Sequence, residues 1–418
     1  MVHENRLTAI NQFIEHCRKA PFYRERLPDE LLSSIHEFKK IPLTTKEDLR
    51  EISPFDLVCV PHKKLYQYHE SFGTTGRPIS TWVTKEDIRL HAKNINSGGL
   101  KFTKKDILLI RFPYAISSIA HNLHFAAQSK GACVIPASSR TTITPFTRVI
   151  DLMQKLKVTV LAGLPQQALL IAETAEIMGL EPSKDFPNLR AIFTAGEALT
   201  TGKRKLLEGI WGVPITDNFG MTEIGSGAIS CQFGRHHIPG DECIFEILDN
   251  QLIKEVESGQ IGNLVITTLK KQAAPIIRYV TGDRARILPG KCTCGEEYSF
   301  EHHGRSSEII KLGSRILDCW DLTEIVSSFP CQRFWVAGPN AEGLKFVVEE
   351  EKSGDSVSTD LINNLEERYK LKLEIEIVPK GTLYDRKELF EVAEVGKPRY
   401  IYTAEELEQK TYLKPVKI

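Results

Sequence analysis

The stretch SFGTTGRPIS, Ser71 to Ser80, sets Gly73 and Gly76 among the hydroxyls of Ser71, Thr74 and Thr75. Glycine tolerates positive φ and close backbone approach, so such a loop can turn amides and hydroxyls toward an anion, and phosphate is the obvious one. GxxxxGK followed by Ser or Thr is absent, as is GxGxxG, so the loop is neither a Walker loop nor a dinucleotide fingerprint. Alone, a GTTG turn is more often an ordinary hairpin or loop. A second chemistry lies further on. CTCG at 292–295 and CQFGRHH at 231–237 together supply three thiols and two imidazoles. Tetrahedral zinc would be satisfied by Cys231, His237, Cys292 and Cys294, with His236 as the alternative nitrogen and unligated thiols as the plainer reading.

Other segments decide what the loop serves. SFGTTGRPIS is followed by TDNFGMTEIG at 216–225, IRYVTGDRARI at 277–287 and GRSSEIIKLGSRI at 304–316. In order and spacing these resemble the signature motifs of the adenylate-forming acyl-CoA synthetase superfamily. GACVIPASS and IFTAGEALT, with the short chain, look like its phenylacetate-CoA ligase branch. The resemblance runs from about residue 68 onward and implies two steps: a carboxylate attacks the α-phosphate of ATP, giving an acyl-adenylate, and a thiol then displaces AMP.

Roles follow from that resemblance. Ser71, Gly73, Thr74, Thr75 and Gly76 would hold the β- and γ-phosphates; Glu223 would give Mg²⁺ a hard oxygen ligand. Thr222 would contact the α-phosphate. Asp217, Phe219 and Gly220 belong to the second motif, with Phe219 stacking on adenine where the family more often has tyrosine. Gly196 and Glu197 would line the adenine slot. Asp283 would accept hydrogen bonds from both ribose hydroxyls, with Arg305 a second ribose or phosphate contact. Lys397, in EVAEVGKPRYIY, would carry a mobile positive charge to the reacting phosphate; Lys380 and Lys387 compete for that role. Taken singly, TGD is also a turn, and Thr-Glu a capping pair. The resemblance also implies zinc at the Cys/His cluster and an acid pocket between PYAISSIAHNLHF and TAGEAL, where His121 and His124 are candidates. The motif after Gly304 departs from the family, with SSE in place of an acidic pair and Gly313 nine residues on. Ser307 or Glu308 is then the expected pivot. Ile79 stands where a lysine often follows the loop proline, and Arg77 has no assigned role.

These residues need a frame. From about residue 105, apolar runs (DILLIRF, GACVIPAS, VTVLAGLP, LRAIFTAGEAL) alternate with helical segments (FTRVIDLMQKLK, PQQALLIAETAEIMGL), which predicts βαβ units on a mostly parallel sheet with ligands at the strands' carboxyl ends. ECIFEILDNQLIKEV, GNLVITTL and APIIRYVTGDRARIL predict an antiparallel sheet or distorted barrel. FWVAGP, GLKFVVEEE, DLINNLEERYKLK and LEIEIVP predict a small α+β unit. The fold class is therefore α/β: a large N-terminal domain over 1–304, with parallel sheet and barrel-like subdomain, and a mobile α+β lid over 305–418 carrying the lysine. Residues 1–60 read as short helices packed on the larger body.

Composition limits the partners. The chain has 418 residues with 54 basic and 54 acidic side chains, so no charge excess points to nucleic acid or an anionic membrane. No signal-like or membrane-length apolar run is seen, and nine cysteines suit reduced thiols or a metal, so a cytoplasmic protein is expected. The expected enzyme is an ATP- and Mg²⁺-dependent ligase of a small aromatic acid, with a structural zinc and CoA as acceptor. A phosphopantetheinyl carrier protein, as in siderophore or natural-product assembly, is the alternative acceptor, and a homodimer is compatible. A non-catalytic nucleotide-binding protein is the third reading, disfavoured by retention of Glu223, Asp283, Arg305 and Lys397.

Overall fold

The computed structural model describes residues 6–71, 76–139, 141–391 and 398–413. Its backbone is an eleven-stranded sheet built in two arms. In the parallel arm the strands run Cys133–Ile135, Ile107–Ile110, Val160–Gly163, Ala191–Ala195 and Ile215–Met221 in spatial order. The predicted apolar runs supply them, and their lack of alternation is what burial on both faces demands. Helices Phe146–Lys155 and Pro165–Ile177 cover one face around Phe146, Leu169 and Trp211; Ser118–Gln128 packs on the other around Phe112 and Leu123.

The direction of pairing changes at Ile215–Met221. Gly225–Ser230 pairs with it antiparallel, and the antiparallel arm continues through His236–His237, Ser299–Arg305, Tyr279–Leu288 and Gly262–Thr268 to Cys243–Leu248. The β-rich region is thus continuous with the parallel arm. In open sheets a crevice forms where strand order or direction switches, and the motif TDNFGMTEIG occupies that point.

The N-terminal helices close one side of the antiparallel arm. Ile10, Phe13, Ile14, Tyr23 and Phe38 are buried against Ile276, Ile277 and Tyr279. Thr44 is stitched into the sheet by Thr44 N to Arg278 O and Val280 N to Thr44 O, both 2.9 Å. The next residue, Thr45, caps helix Lys46–Glu51 in a reciprocal box with Asp48. The sequence predicts only packing helices here; the structure brings Lys46 beside Gly282.

The small unit has its own three-stranded sheet, Trp335–Pro339, Gly343–Glu349 and Lys372–Val378, with helices Cys319–Val326 and Thr359–Tyr369. Arg305 still pairs with Asp283 in the large sheet, whereas Ile310 and Leu317 pack with Leu322 and Phe346 in the small unit's core. The chain changes bodies over residues 306–308, where Ser306 N donates to Gly282 O at 2.9 Å. No helix among the described residues is long and apolar enough to cross a membrane.

Candidate functional site

Strands Ile215–Met221 and Gly225–Ser230 are joined by the turn Thr222–Ile224. Gly225 adopts φ +76°, and a Cβ there would meet the His91 ring at 2.1 Å, so only glycine permits this close turn. Thr222 is half-buried and Glu223 buried. Tyr279 donates its hydroxyl to Glu223 Oε1 at 2.8 Å. Burial and the Glu223 carboxylate push the Tyr279 phenol well up, which keeps it a donor. Tyr279 holds the Glu223 carboxylate through Oε1, which leaves Oε2 as a hard oxygen for a cation such as Mg²⁺.

Asp283 and Arg305 meet across the paired strands, Arg305 NH1 lying 3.2 Å from Asp283 Oδ1, with His302 Nε2 at 3.6 Å from the same oxygen. Burial would raise the Asp283 carboxyl, but Arg305, His302 and Lys46 hold it well below the usual carboxylate range. The same charge, against the cost of burial, raises the Arg305 guanidinium. Burial, then Arg305, lowers Lys46, while Asp283 and Glu223 pull the other way. A Cβ on Gly282 would lie 2.8 Å from Lys46 Nζ. Two carboxylates and two cations therefore share one electrostatic neighbourhood at the switch in strand direction.

The motif SFGTTGRPIS links the paired strands Gln67–Glu70 and Ser80–Val83. Ser71 closes its base: Ser71 N donates to Ile79 O at 2.9 Å, and Ser71 Oγ accepts from Ile79 N at 2.8 Å. The Ser71 hydroxyl thus fixes where the loop leaves the hairpin. Gly73, Thr74 and Thr75 lie outside the described residues. A Cβ on Gly76 would lie 3.1 Å from the Arg50 guanidinium, which also donates from Nε to Arg77 O at 3.2 Å. Arg77 is exposed.

On the parallel side Gly196 takes φ +87° and hands the chain to Glu197. Glu197 Oε2 pairs with Lys203 Nζ at 3.0 Å, and Lys203 also donates to Tyr400 OH at 2.7 Å. Burial lowers and the Glu197 carboxylate raises the Lys203 ammonium, the net direction being up. Tyr400 in turn donates to Gln166 Oε1 at 3.3 Å, docking the small unit on the large one. Lys397, three residues earlier, lies outside the described residues. Lys380 is bound to Glu173 at 2.6 Å, so its ammonium serves domain contact; Lys387 is exposed.

Phe219 is buried edge-on against Phe245 and Phe300, centroids 6.2 and 5.1 Å away, with the His302 ring at 5.0 Å. Its ring belongs to the apolar core of the antiparallel arm. Gly220 is needed where a Cβ would strike Gly225 O at 2.4 Å. Asp217 is buried, accepting from Thr194 Oγ1 at 2.5 Å and His236 Nε2 at 2.8 Å.

The alternative nitrogen, His236, is not one of the clustered donor groups. The four donor atoms of Cys231, His237, Cys292 and Cys294 lie within 4.8 Å of one another. Cys231 Sγ to Cys292 Sγ is 3.9 Å and Cys294 Sγ to His237 Nε2 is 3.2 Å. Zinc–sulfur bonds of ~2.3 Å at the tetrahedral angle put sulfurs ~3.8 Å apart, so the cluster has the right size. His237 Nδ1 donates to Tyr298 O at 3.1 Å, which turns Nε2 toward the thiols.

His121 and His124, the candidates for the acid pocket, are tied to one tyrosine: His121 Nε2 to Tyr114 O at 3.0 Å, and His124 Nδ1 to Tyr114 OH at 3.1 Å. His121 also lies 5.3 Å, ring to ring, from His69. Sequence reading missed Lys46, Lys203, Lys271 and Tyr279. Tyr279 had a signal, being four residues before Asp283 in the third motif; the lysines had none that separates them from solvated surface.

Residues 57–269 match the family model of the AMP-binding enzymes. The phenylacetate-coenzyme A ligase of Thermus thermophilus is 30% identical over 307 residues, covering 71% of this chain and 67% of that relative. That of Aromatoleum evansii is 31% identical over 284 residues, covering 66% of this chain and 62% of the relative, so it extends well beyond the matched part. In fold, the chain is similar to a 2-hydroxyisobutyryl-CoA ligase crystallised in the postadenylation state with R3-HIB-AMP. The TM-score is 0.83 at 19% identity, over 97% of this chain and 91% of that one.

Proposed function

This chain belongs to the AMP-binding enzyme family, and on that premise we propose that it is an acid–CoA ligase acting through an acyl-adenylate, with a small aromatic acid as substrate. The observation that carries the reading is the convergence of Glu223, Asp283, Arg305 and Lys46 where the sheet changes direction. The aromatic class comes from its phenylacetate-coenzyme A ligase relatives.

In the first step a carboxylate oxygen bonds to the α-phosphorus of ATP and pyrophosphate leaves. Asp283, held ionised by Arg305, accepts from the ribose hydroxyls and fixes the nucleotide. Lys46 and Arg305 offset the triphosphate's charge, and Thr222 donates to the α-phosphate. Mg²⁺ on Glu223, when bound, neutralises phosphate charge. Phe219 and Gly196 flank the adenine, with Glu197 behind them; Lys397 supplies the late positive charge. In the second step the CoA sulfur bonds to the acyl carbon, AMP leaves with the bonding electron pair, and the thiol proton passes to solvent.

The test is ATP–pyrophosphate exchange over a panel of benzoates and phenylacetates, followed by mass analysis with CoA and with a holo-carrier protein. Exchange with an aromatic acid and a CoA adduct are expected. Absence of exchange with every acid, together with no ATP binding, defeats the proposal; an adduct on the carrier alone replaces CoA as acceptor. Zinc is the second part of the reading: held by Cys231, His237, Cys292 and Cys294, it would staple Cys231, just beyond strand Gly225–Ser230, to the loop at 292–295. Metal analysis should find about one zinc per chain in the wild type and a large loss in Cys292→Ser. Equal zinc in both rejects this ligand set.

A further inference from the structure

Lys271 follows strand Gly262–Thr268 and is 2% exposed. Its Nζ donates to the main-chain oxygen of Glu223 at 2.6 Å and to Thr81 Oγ1 at 2.7 Å. Glu223 sits in the turn proposed to hold Mg²⁺; Thr81 sits in the returning strand of the phosphate-loop hairpin. One ammonium therefore joins two elements that must act on the same triphosphate.

Its surroundings do not explain it as an ion pair. Among the described residues no carboxylate oxygen comes within 4.0 Å of Nζ. Asp87, the nearest in electrostatic effect, already accepts from Thr84 N at 2.8 Å, Thr84 Oγ1 at 3.0 Å, Gln272 N at 2.6 Å and Ala273 N at 3.1 Å. His69 and His91 stand by, each lowered to about 4 by burial first, so neither adds positive charge at neutral pH. Both His91 ring nitrogens lack a hydrogen-bond partner. Hydrophobic packing of equal volume commonly serves stability as well as a buried charge does, so its use here is geometric.

We propose that Lys271 is a positioning residue that fixes the Glu223 turn against the phosphate-loop hairpin, so that carboxylate and phosphates present their oxygens to one Mg²⁺. The proposal rests on the adenylate-forming reading above. It concerns metal-assisted ATP binding, separately from ATP binding as such.

Calorimetric titration of ATP into the full chain, with and without Mg²⁺, tests it. Lys271→Met should lose about tenfold or more of the Mg²⁺-dependent gain in affinity, the usual effect of removing a group that orients a metal ligand. Metal-free ATP should bind within about twofold of wild type, an outcome general loosening of the site would not give. Thr81→Val keeps the cation and deletes one acceptor, and should lose roughly threefold of the gain. An undiminished Mg²⁺ effect in Lys271→Met overturns the proposal, as does the same result in Thr81→Val where the methionine variant does not fold. Failure of the wild type to bind ATP overturns the underlying reading, and is seen in the wild-type titration alone.

Discussion

Asp283 shows how one carboxylate can bear both on the site and on stability. It is 2% exposed, yet Arg305, His302 and Lys46 keep it ionised far below the range of an exposed aspartate. Because its folded pKa lies below its unfolded one, its stabilising effect is complete above about pH 4, near the unfolded value. It is lost as pH falls from there toward the folded value. Asp283→Asn should therefore be clearly less stable than wild type at pH 7, and the gap should narrow below about pH 4. Urea denaturation at pH 7, 5 and 3.5 measures this; a gap that stays constant over the series would show that the aspartate's charge is irrelevant to the fold. With Asp283 in the proposed ribose contact, the variant should also bind ATP more weakly at pH 7, since an amide offers one acceptor oxygen to two ribose hydroxyls.

The turn Thr222–Ile224 is where local geometry and chemistry coincide. Its exit residue, Gly225, combines φ +76° with a His91 ring 2.1 Å from where a Cβ would sit. Gly225→Ala meets both a left-handed backbone and overpacking, and should cost about 2–4 kcal/mol. Equilibrium denaturation should show this as a lower midpoint at unchanged slope; a variant as stable as wild type would mean that His91 moves aside freely. Much of this element was readable beforehand. The apolar runs containing ILLI and AIFTA alternate with helical segments, which marks them as strands of a mostly parallel sheet, and Glu223, Asp283 and Arg305 stand in the ordered motifs. What was not readable depends on contacts between distant segments: Lys46 and Lys271 look like solvated charges until the fold carries them to Gly282 and Glu223. His236 and His237 were inseparable by type. As neighbours on a strand they point to opposite faces, one to Asp217 and the other to the thiols.

Over the whole molecule, the small unit is held by a cluster of charges on helix Pro165–Ile177, in which every residue from Pro165 to Ala175 is buried. A helix apolar on most sides needs cover on most sides, and the small unit supplies what the sheet does not. At its centre Glu173, 0% exposed, receives Arg333 at 2.9 Å, Lys380 at 2.6 Å and Arg386 at 3.2 Å, all from the small unit. Burial would raise the Glu173 carboxyl, but the three cations lower it, so it is ionised in this arrangement. Arg333 reaches on to Glu176 at 2.7 Å and Glu351 at 3.1 Å, and Phe334 and Leu389 join the large domain's core. Removing the shared carboxylate leaves cations that Glu176, Glu349 and Glu351 only partly neutralise. Loss of one partner from a buried pair costs about 3–5 kcal/mol. Glu173→Ala should therefore loosen the small unit without unfolding the large one. Limited trypsin digestion reads that directly, because Lys380 and the less exposed Arg386 are cleavage sites whose side chains the same ion pairs hold in place. Cleavage after them should quicken about tenfold or more in Glu173→Ala, since opening by even 1.4 kcal/mol raises the cleavable population tenfold. Wild-type rates in that variant would mean that apolar packing around Phe334 and Leu389 holds the small unit in place and that the ion pairs at Glu173 only follow it.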